Sequence, residues 1–425
     1  MRVLLVMPSI RERATLYERL LMKLTAWAPL TLHQIAACTP AKHETVIIDE
    51  NYRNVDFSGD YDIVGISAMT ATAPRAYRIA DEFRTRGIPV VLGGYHPTAM
   101  PQEAKQHADA VVMGEAEGVW FELLKDAERG MLKPFYTGFS NHLVSPLKNS
   151  GTVLGYVEAS RGCMNRCAFC AISGSPMGRF RKKPVDMVVR EIESMKNKGF
   201  VFFDSSMTMD IDYTKELFRR IRHAGKRFAC FGNAAVLARD DNLLEIAHEA
   251  GCVAWAVGFE SVSQHAMDSI GKKSNRVEEY GMVVKKVNEH GMALVGSFVF
   301  GFDDDTPDIF DTTMNLVYKW NMDSIAVNIL TPLPGTPLFN SMEKEGRLIT
   351  KDWSKYDLYH VVHRPAILTP DEIYEGVEHL VAEFFSAGEI MKRLLGKHFD
   401  FVTRSALAYH LCSSKLGYRL LLQHG

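Results

Sequence analysis

The sequence predicts an α/β protein, two successive parallel-sheet domains followed by a helical region. Three observations carry that prediction. From residue 1 to about 132, short apolar runs suited to strands alternate with amphipathic helical stretches. The alternation restarts near Val153 and gives six further strand–helix units before residue 342. From 343 to 425 the pattern is helical, punctuated by Pro365 and Pro370. Strands that alternate with helices pair in parallel and are covered on both faces. A chain of 425 residues has room for two or three domains.

The first series has strands at 2–7, 45–49, 62–67, 89–92 and 110–113, with an amphipathic helix at 74–86 that opens on a proline. The apolar start followed by charges reads as a first strand, not a signal peptide. Three strand ends run into Ser67-Ala-Met-Thr-Ala-Thr-Ala, Gly93-Gly-Tyr-His-Pro-Thr and Gly114-Glu-Ala-Glu. Open α/β sheets bind ligands at such carboxyl ends, so residues 1–132 form a Rossmann-like domain. The Pro, Gly, Asn and Ser scattered through 133–152 predict a linker. The second series has strands at 153–159, 200–204, 227–232, 253–259, 294–300 and 324–330, with helices such as 185–198 and 213–223. Six units make a partial (β/α)6 barrel over 153–342, with a wide C-terminal face that carries the chemistry in this architecture. Residues 343–425 form a C-terminal helical region.

Composition narrows the function. Apolar residues make up 47% and charged residues 24%, the balance of a soluble globular protein. A net charge of −2 gives no global field to recruit nucleic acid or acidic membranes. No apolar run reaches ten residues, too short for a transmembrane helix. Seven cysteines, an odd number with one tight cluster, argue against a disulfide framework and for a reducing, cytoplasmic setting.

That cluster is Ser-Arg-Gly-Cys-Met-Asn-Arg-Cys-Ala-Phe-Cys, with Cys163, Cys167 and Cys170 directly after the first barrel strand. Three thiolates are one ligand short of a closed tetrahedral zinc site. The next candidates, His223 and Cys230, lie far downstream, so zinc is disfavoured and survives only with a long-range fourth ligand. An iron–sulfur cluster suits three thiolates better and leaves one iron open to a small molecule.

Cys-x3-Cys-x2-Cys with Phe169 before the last cysteine resembles the radical SAM enzymes. The resemblance implies that Cys163, Cys167 and Cys170 hold a [4Fe–4S] cluster whose fourth iron chelates S-adenosylmethionine (SAM). An electron then cleaves SAM to a 5′-deoxyadenosyl radical, and the protein orients the partners and excludes water. Gly258-Phe-Glu-Ser resembles the family's Gly-x-Glu-Ser, which gives Glu260 a SAM contact; otherwise it is a strand-end carboxylate paired with a cation. Asp204 and Ser205, in Phe202-Phe-Asp-Ser-Ser, stand where the family meets the methionine amine, although the wording departs from the commoner Gly-Gly-Glu. Ser297 reaches the SAM carboxylate or is a small core residue. Leu330-Thr-Pro-Leu-Pro-Gly-Thr-Pro resembles the family's sixth strand end and shapes a rigid loop. Arg179-Phe-Arg-Lys-Lys-Pro reads as a solvated basic flank.

In the first domain, Gly-x-Gly-x-x-Gly is missing after strand one, and no P-loop occurs. A second cluster would need three more cysteines, and only Cys38 is available. The layout instead resembles the cobalamin-binding domain that precedes many radical SAM domains, on Ala28-Pro-Leu, Gly93-Gly-Tyr-His-Pro-Thr and Gly114-Glu-Ala-Glu. This implies a corrin over the strand ends, with Ser67, Thr70, Gly93, Gly94, His96 and Gly114 as contacts. The Asp-x-His-x-x-Gly motif of some cobalamin proteins is missing: two residues before His33, His43, His96 and His107 stand Thr31, Ala41, Gly94 and Lys105. Any cobalt would therefore lack that axial histidine. The alternative is a Rossmann-like scaffold that has lost its ligand.

Trp353, Tyr356 and Tyr359 line a substrate cavity or pack on the barrel. Arg404, Lys415 and Arg419 lie among Leu and Tyr in the last stretch, which touches a bilayer or, more commonly, packs on its own domain. The resemblance implies a cobalamin-dependent radical SAM enzyme that methylates an unactivated carbon of a small-molecule or lipid-like substrate, fed by an electron donor such as flavodoxin or ferredoxin. One SAM would methylate cobalamin and a second would supply the radical. The runner-up is ring formation or carbon–carbon bond formation without net methylation. A reading from another class is a cobalamin or redox sensor.

Overall fold

The computed structural model describes residues 1–10, 30–146, 154–172, 178–272 and 274–422, and the side chains of the last helix up to Tyr418. Ala28, Pro29, the start of the first barrel strand at Val153 and the Arg419 side chain lie outside the described residues.

The first sheet contains β1 (Arg2–Met7), β2 (Glu44–Asp49), β3 (Ile63–Ser67), β4 (Val90–Gly93), β5 (Ala110–Gly114) and β6 (Phe135–Gly138). All neighbours are parallel, in the order β2-β1-β3-β4-β5-β6. Val3, Leu4, Leu5 and Val6 are buried, as a central strand covered on both faces requires. The order reverses between β1 and β3, which opens a crevice at their carboxyl ends. β6 corrects the expected linker, because the sheet continues into 133–152. Phe135-Tyr-Thr are good strand formers, but the run is short and sits between Pro134 and Gly138, which hides it among turn signals.

The second sheet contains β7 (Gly155–Val157), β10 (Gly199–Phe202), β11 (Arg227–Gly232), β12 (Cys252–Glu260), β13 (Ala293–Phe300) and β14 (Ser324–Ile329). These six parallel strands lie in chain order and form the open barrel wall. A two-residue hairpin, β8 (Ser160–Arg161) with β9 (Arg181–Lys182), brackets the cysteine loop. Phe200, Phe202, Phe218, Phe228 and Trp255 pack together between the strands and the covering helix Ile211–Ile221. Asp210 caps that helix by accepting from the Tyr213 amide at 3.0 Å.

The C-terminal region packs on the barrel. In helix Phe401–Leu422, Leu407, Leu411 and Tyr418 join the barrel core. The Tyr418 hydroxyl accepts from Val327 N at 2.5 Å and donates to Val327 O at 3.2 Å, which blunts the edge strand β14. Trp353 and Tyr356 are buried with Phe339 and Val362, so packing accounts for them. Among the described residues no helix is long and apolar enough to cross a membrane.

Candidate active site

The cysteine loop leaves β8 through Gly162, whose φ is +89°. A Cβ there would lie 2.3 Å from Arg179 O, so only glycine fits. Backbone bonds pin the loop on three sides. Cys163 N donates to Gly178 O (3.0 Å), Ala168 N to Ile270 O (2.9 Å), and Leu338 N to Ala168 O (3.1 Å). Cys163 and Cys170 are half-buried, Cys167 is buried, and none of the seven cysteines is in a disulfide. Burial pushes the Cys167 thiol up to about 11, against the pull of Lys272, with the other two cysteines and Glu260 also raising it. Burial raises Cys163 as well. Among the described residues no three His, Cys, Asp or Glu side chains already converge as a metal cage. The donor set nevertheless suits a cluster: three thiols on one loop, within one another's electrostatic reach, whose buried thiolates need cationic iron as partner.

Barrel strand ends supply charge around the loop. Glu260 takes φ +63°, costly for a residue with a side chain, at a register slip between β12 and β13. Its carboxylate pairs with Lys272, whose ammonium also donates to Gly258 O at 2.8 Å. Asn275 braces the same turn through Gly258 O (2.8 Å) and Phe259 O (3.1 Å). Ser297 is half-buried and accepts from Asn328 Nδ2 at 3.2 Å. Asp204 is used within the protein: it accepts from Ala159 N (3.1 Å), Ser160 N and Ser160 Oγ (2.6 Å), and so holds the chain entering the cysteine loop. Burial lifts its carboxyl to about 7 despite those donors. Ser205 follows, half-buried.

The first sheet offers a different surface. Gly94 has φ +96°, and a Cβ there would meet Ala68 O at 2.8 Å. Gly114, φ +84°, lies so close to Gly138 O that a Cβ would be 2.3 Å away. Ser67 and Gly93 are half-buried at their strand ends, and Gly93 O accepts from Ala68 N at 2.9 Å. Thr70 is buried and its hydroxyl has no partner among the described residues, an orphan acceptor and donor at the crevice. The expectation for His96 needs correcting. Its ring is fully buried against Tyr77 and Trp353, Nε2 contacts Glu103 at 3.2 Å and Nδ1 has no partner among the described residues, so the fold packs the ring under the C-terminal region. Trp353 Nε1 (2.9 Å) and the Tyr77 hydroxyl (2.9 Å) also donate to Glu103, which joins the C-terminal region to the first domain. Next to His96, Tyr95 donates to Pro334 O at 2.7 Å, and Cys170 lies within its electrostatic reach.

Charged residues within the quoted stretches, to which the sequence gives no such role, tie the two sheets together. Arg181 donates to both Glu115 oxygens, at 2.7 and 2.5 Å, and Arg161 reaches Glu117 at 2.9 Å and Glu158 at 2.8 Å. Arg181 and Lys183 are buried, and Lys183 pairs with Glu191 at 3.0 Å. Arg181 and Lys183 therefore depart from the expected solvated flank, while Arg179 and Lys182 are exposed as expected. The alternation of buried Arg181, exposed Lys182 and buried Lys183 is a strand period that the charge run concealed.

Comparison with known proteins agrees with this architecture. Residues 157–317 match the model of the radical SAM superfamily, and residues 25–124 that of the B12 binding domain. The chain is 32% identical over 396 residues to bacteriochlorophyllide d C-12(1)-methyltransferase of Chlorobaculum tepidum, covering 88% of this chain and 86% of that protein. It is 28% identical over 415 residues to the C-8(2)-methyltransferase of the same organism, covering 90% and 92%. The fold is similar to the radical S-adenosylmethionine methyltransferase TsrM of Kitasatospora setae, solved with cobalamin and a [4Fe–4S] cluster (TM-score 0.72, 16% identity, 98% and 99% coverage).

Proposed function

Because the chain belongs to the radical SAM enzymes that carry a B12-binding domain, with a [4Fe–4S] cluster, SAM and cobalamin as cofactors, we propose that it methylates an unactivated carbon of a bulky apolar ring system, a tetrapyrrole side chain. The near full-length identity of 32% with a bacteriochlorophyllide d methyltransferase carries this reading. The mouth is consistent with such a substrate: Met69, Met164, Ile172 and Phe203, all on loops at strand ends, are exposed large apolar side chains.

In this reading Cys163, Cys167 and Cys170 hold the cluster. Glu260, Ser297 and Ser205 meet SAM, while Asp204 fixes the backbone that enters the cysteine loop. Lys272 keeps the Glu260 carboxylate in place until ligand arrives. Ser67, Thr70, Gly93, Gly94 and Gly114 form the cobalamin face, with the Thr70 hydroxyl as its polar contact. The bound cofactors supply one-electron cleavage of SAM and a transferable methyl group. The chain's own task is to exclude water, orient the acceptor carbon and keep the two faces opposed.

Incubating reconstituted protein anaerobically with methyl-deuterated SAM, a low-potential reductant and bacteriochlorophyllide d tests the proposal. A deuterated methyl group on a tetrapyrrole carbon is the expected result. Cleavage of SAM with no labelled product from any tetrapyrrole would move the substrate elsewhere. 5′-Deoxyadenosine without S-adenosylhomocysteine would favour the ring-forming alternative.

A further inference from the structure

We infer that Glu115 is a positioning residue: with Arg181 and Arg161 it locks the hairpin that brackets the cysteine loop onto the first domain, and so sets where the cluster stands relative to the cobalamin face. The inference goes beyond the proposed reaction and uses that reading only for what the two faces hold.

The carboxylate stands on a rigid base. Glu115 N donates to Gly138 O at 2.9 Å, and a Cβ on Gly138 would lie 2.0 Å from Glu115 O, so the backbones of β5 and β6 are in contact there. The side chain is almost wholly buried, as is that of Arg181. Both oxygens are used: Oε1 by Arg181 (2.5 Å) and Arg161 (3.6 Å), Oε2 by Arg181 (2.7 Å) and the Ser140 amide (3.1 Å). Arg181 also donates to Ser140 O at 2.5 Å and lies over the Phe139 ring at 4.4 Å. Although burial opposes it, Arg181 and Arg161 hold the Glu115 carboxyl below its ordinary value, so it stays charged.

The two arginines face each other across the β8–β9 hairpin, one on either side of the cysteine loop. Whatever moves one moves both ends of the loop. A bidentate buried pair is geometrically demanding, and its desolvation makes it a poor way to gain stability alone. Its use at a domain junction is to allow one arrangement and disfavour others. The second joint, where Trp353 meets Glu103 and His96, also ties the first domain down, and among the described residues its hydrogen bonds and ring contacts involve neither β8 nor β9.

The test compares full-length Glu115→Gln and Glu115→Asp with Trp353→Phe, a cut at the other joint. Amide hydrogen exchange of the cofactor-free protein is read at Ser160–Cys170. In Glu115→Gln it should speed up about tenfold while the barrel strands stay protected, and Trp353→Phe should leave it unchanged. In reconstituted protein with normal iron content, methyl transferred per 5′-deoxyadenosine should fall about fivefold in Glu115→Gln. Should Glu115→Gln fail to fold, Glu115→Asp, which keeps the charge but shortens the reach, should show the same two changes in smaller measure. Unchanged exchange and coupling in the Glu115 variants would overturn the inference. So would equal changes in Trp353→Phe, because the network would then be general interface packing. The exchange readout needs no cofactor or substrate, so it stands even if the proposed reaction fails.

Discussion

The carboxyl ends of the two parallel sheets put their buried groups to different uses. At the first sheet's strand ends backbone lies on backbone, Gly94 against Ala68 and Gly114 against Gly138. Thr70 leaves a hydroxyl without a partner among the described residues, and the buried acids Glu50 and Glu115 are already paired, with Arg75 and Arg181. In the barrel the buried acids stand around the cysteine loop, with the Asp204 carboxyl under its entrance and Glu260 paired to Lys272 within electrostatic reach of Cys167. Backbone packed this closely makes a smooth face suited to a broad ligand that is recognised by shape. Buried charges suit a small zwitterion that must be held by its ends. Two acidic residues after β5, Glu115 and Glu117, serve the barrel by anchoring the arginines that bracket the cysteine loop.

Substitutions can break this contrast or sharpen it. Cys167→Ala should have the largest effect: iron content and SAM cleavage fall to background, while cobalamin retention, read by absorbance, stays close to wild type. Residual cleavage would sink the cluster assignment. Glu260→Gln leaves the Lys272 ammonium buried without its counter-charge and should cost about 3 kcal/mol in denaturant unfolding. It should also weaken SAM binding about 10- to 100-fold, the loss of a charge-assisted contact. Gly94→Ala forces a side chain onto a left-handed backbone and should destabilise the first sheet by about 1–3 kcal/mol. Cobalamin retention should drop while acceptor-free SAM cleavage stays within about twofold.

The entrance to the cysteine loop should also respond to acidity. Burial raises the Asp204 carboxyl to about 7 from 3.8, so the fold favours its protonated form. Its contribution is present below the unfolded value and is lost as pH rises through the folded one. The Asp204 share of stability should therefore be lost between about pH 4 and 7, read as the difference in unfolding free energy between the wild type and Asp204→Asn across that range. The smallest effect is expected from Trp353→Phe, which removes one donor to Glu103 and should cost about 1 kcal/mol.

The parts of the molecule legible in the sequence are those with a local signature. β-Branched runs mark most strands, and tight spacing marks the cysteines. Gly258-Phe-Glu-Ser points to Glu260, which the fold brings beside Cys167. The rest depends on long-range contacts that no local pattern encodes. Glu115 and Arg181 are 66 residues apart, and only tertiary structure reveals them as a pair. A charge run at 179–183 resembles a solvated flank unless its period of two is noticed. His96 sits in the short helix Tyr95–Ala99 after β4, with the right surroundings for a ligand contact, but the C-terminal region covers it, and Trp353 lies far beyond the first domain in sequence.

If both faces serve one methyl transfer, the stoichiometry of the products will show it. Reconstituted protein with cobalamin, SAM, reductant and acceptor should yield S-adenosylhomocysteine, 5′-deoxyadenosine and methylated product in about equal amounts, since one SAM supplies the methyl group and a second the radical. Deoxyadenosine and altered acceptor without S-adenosylhomocysteine, or with no dependence on cobalamin, would contradict it.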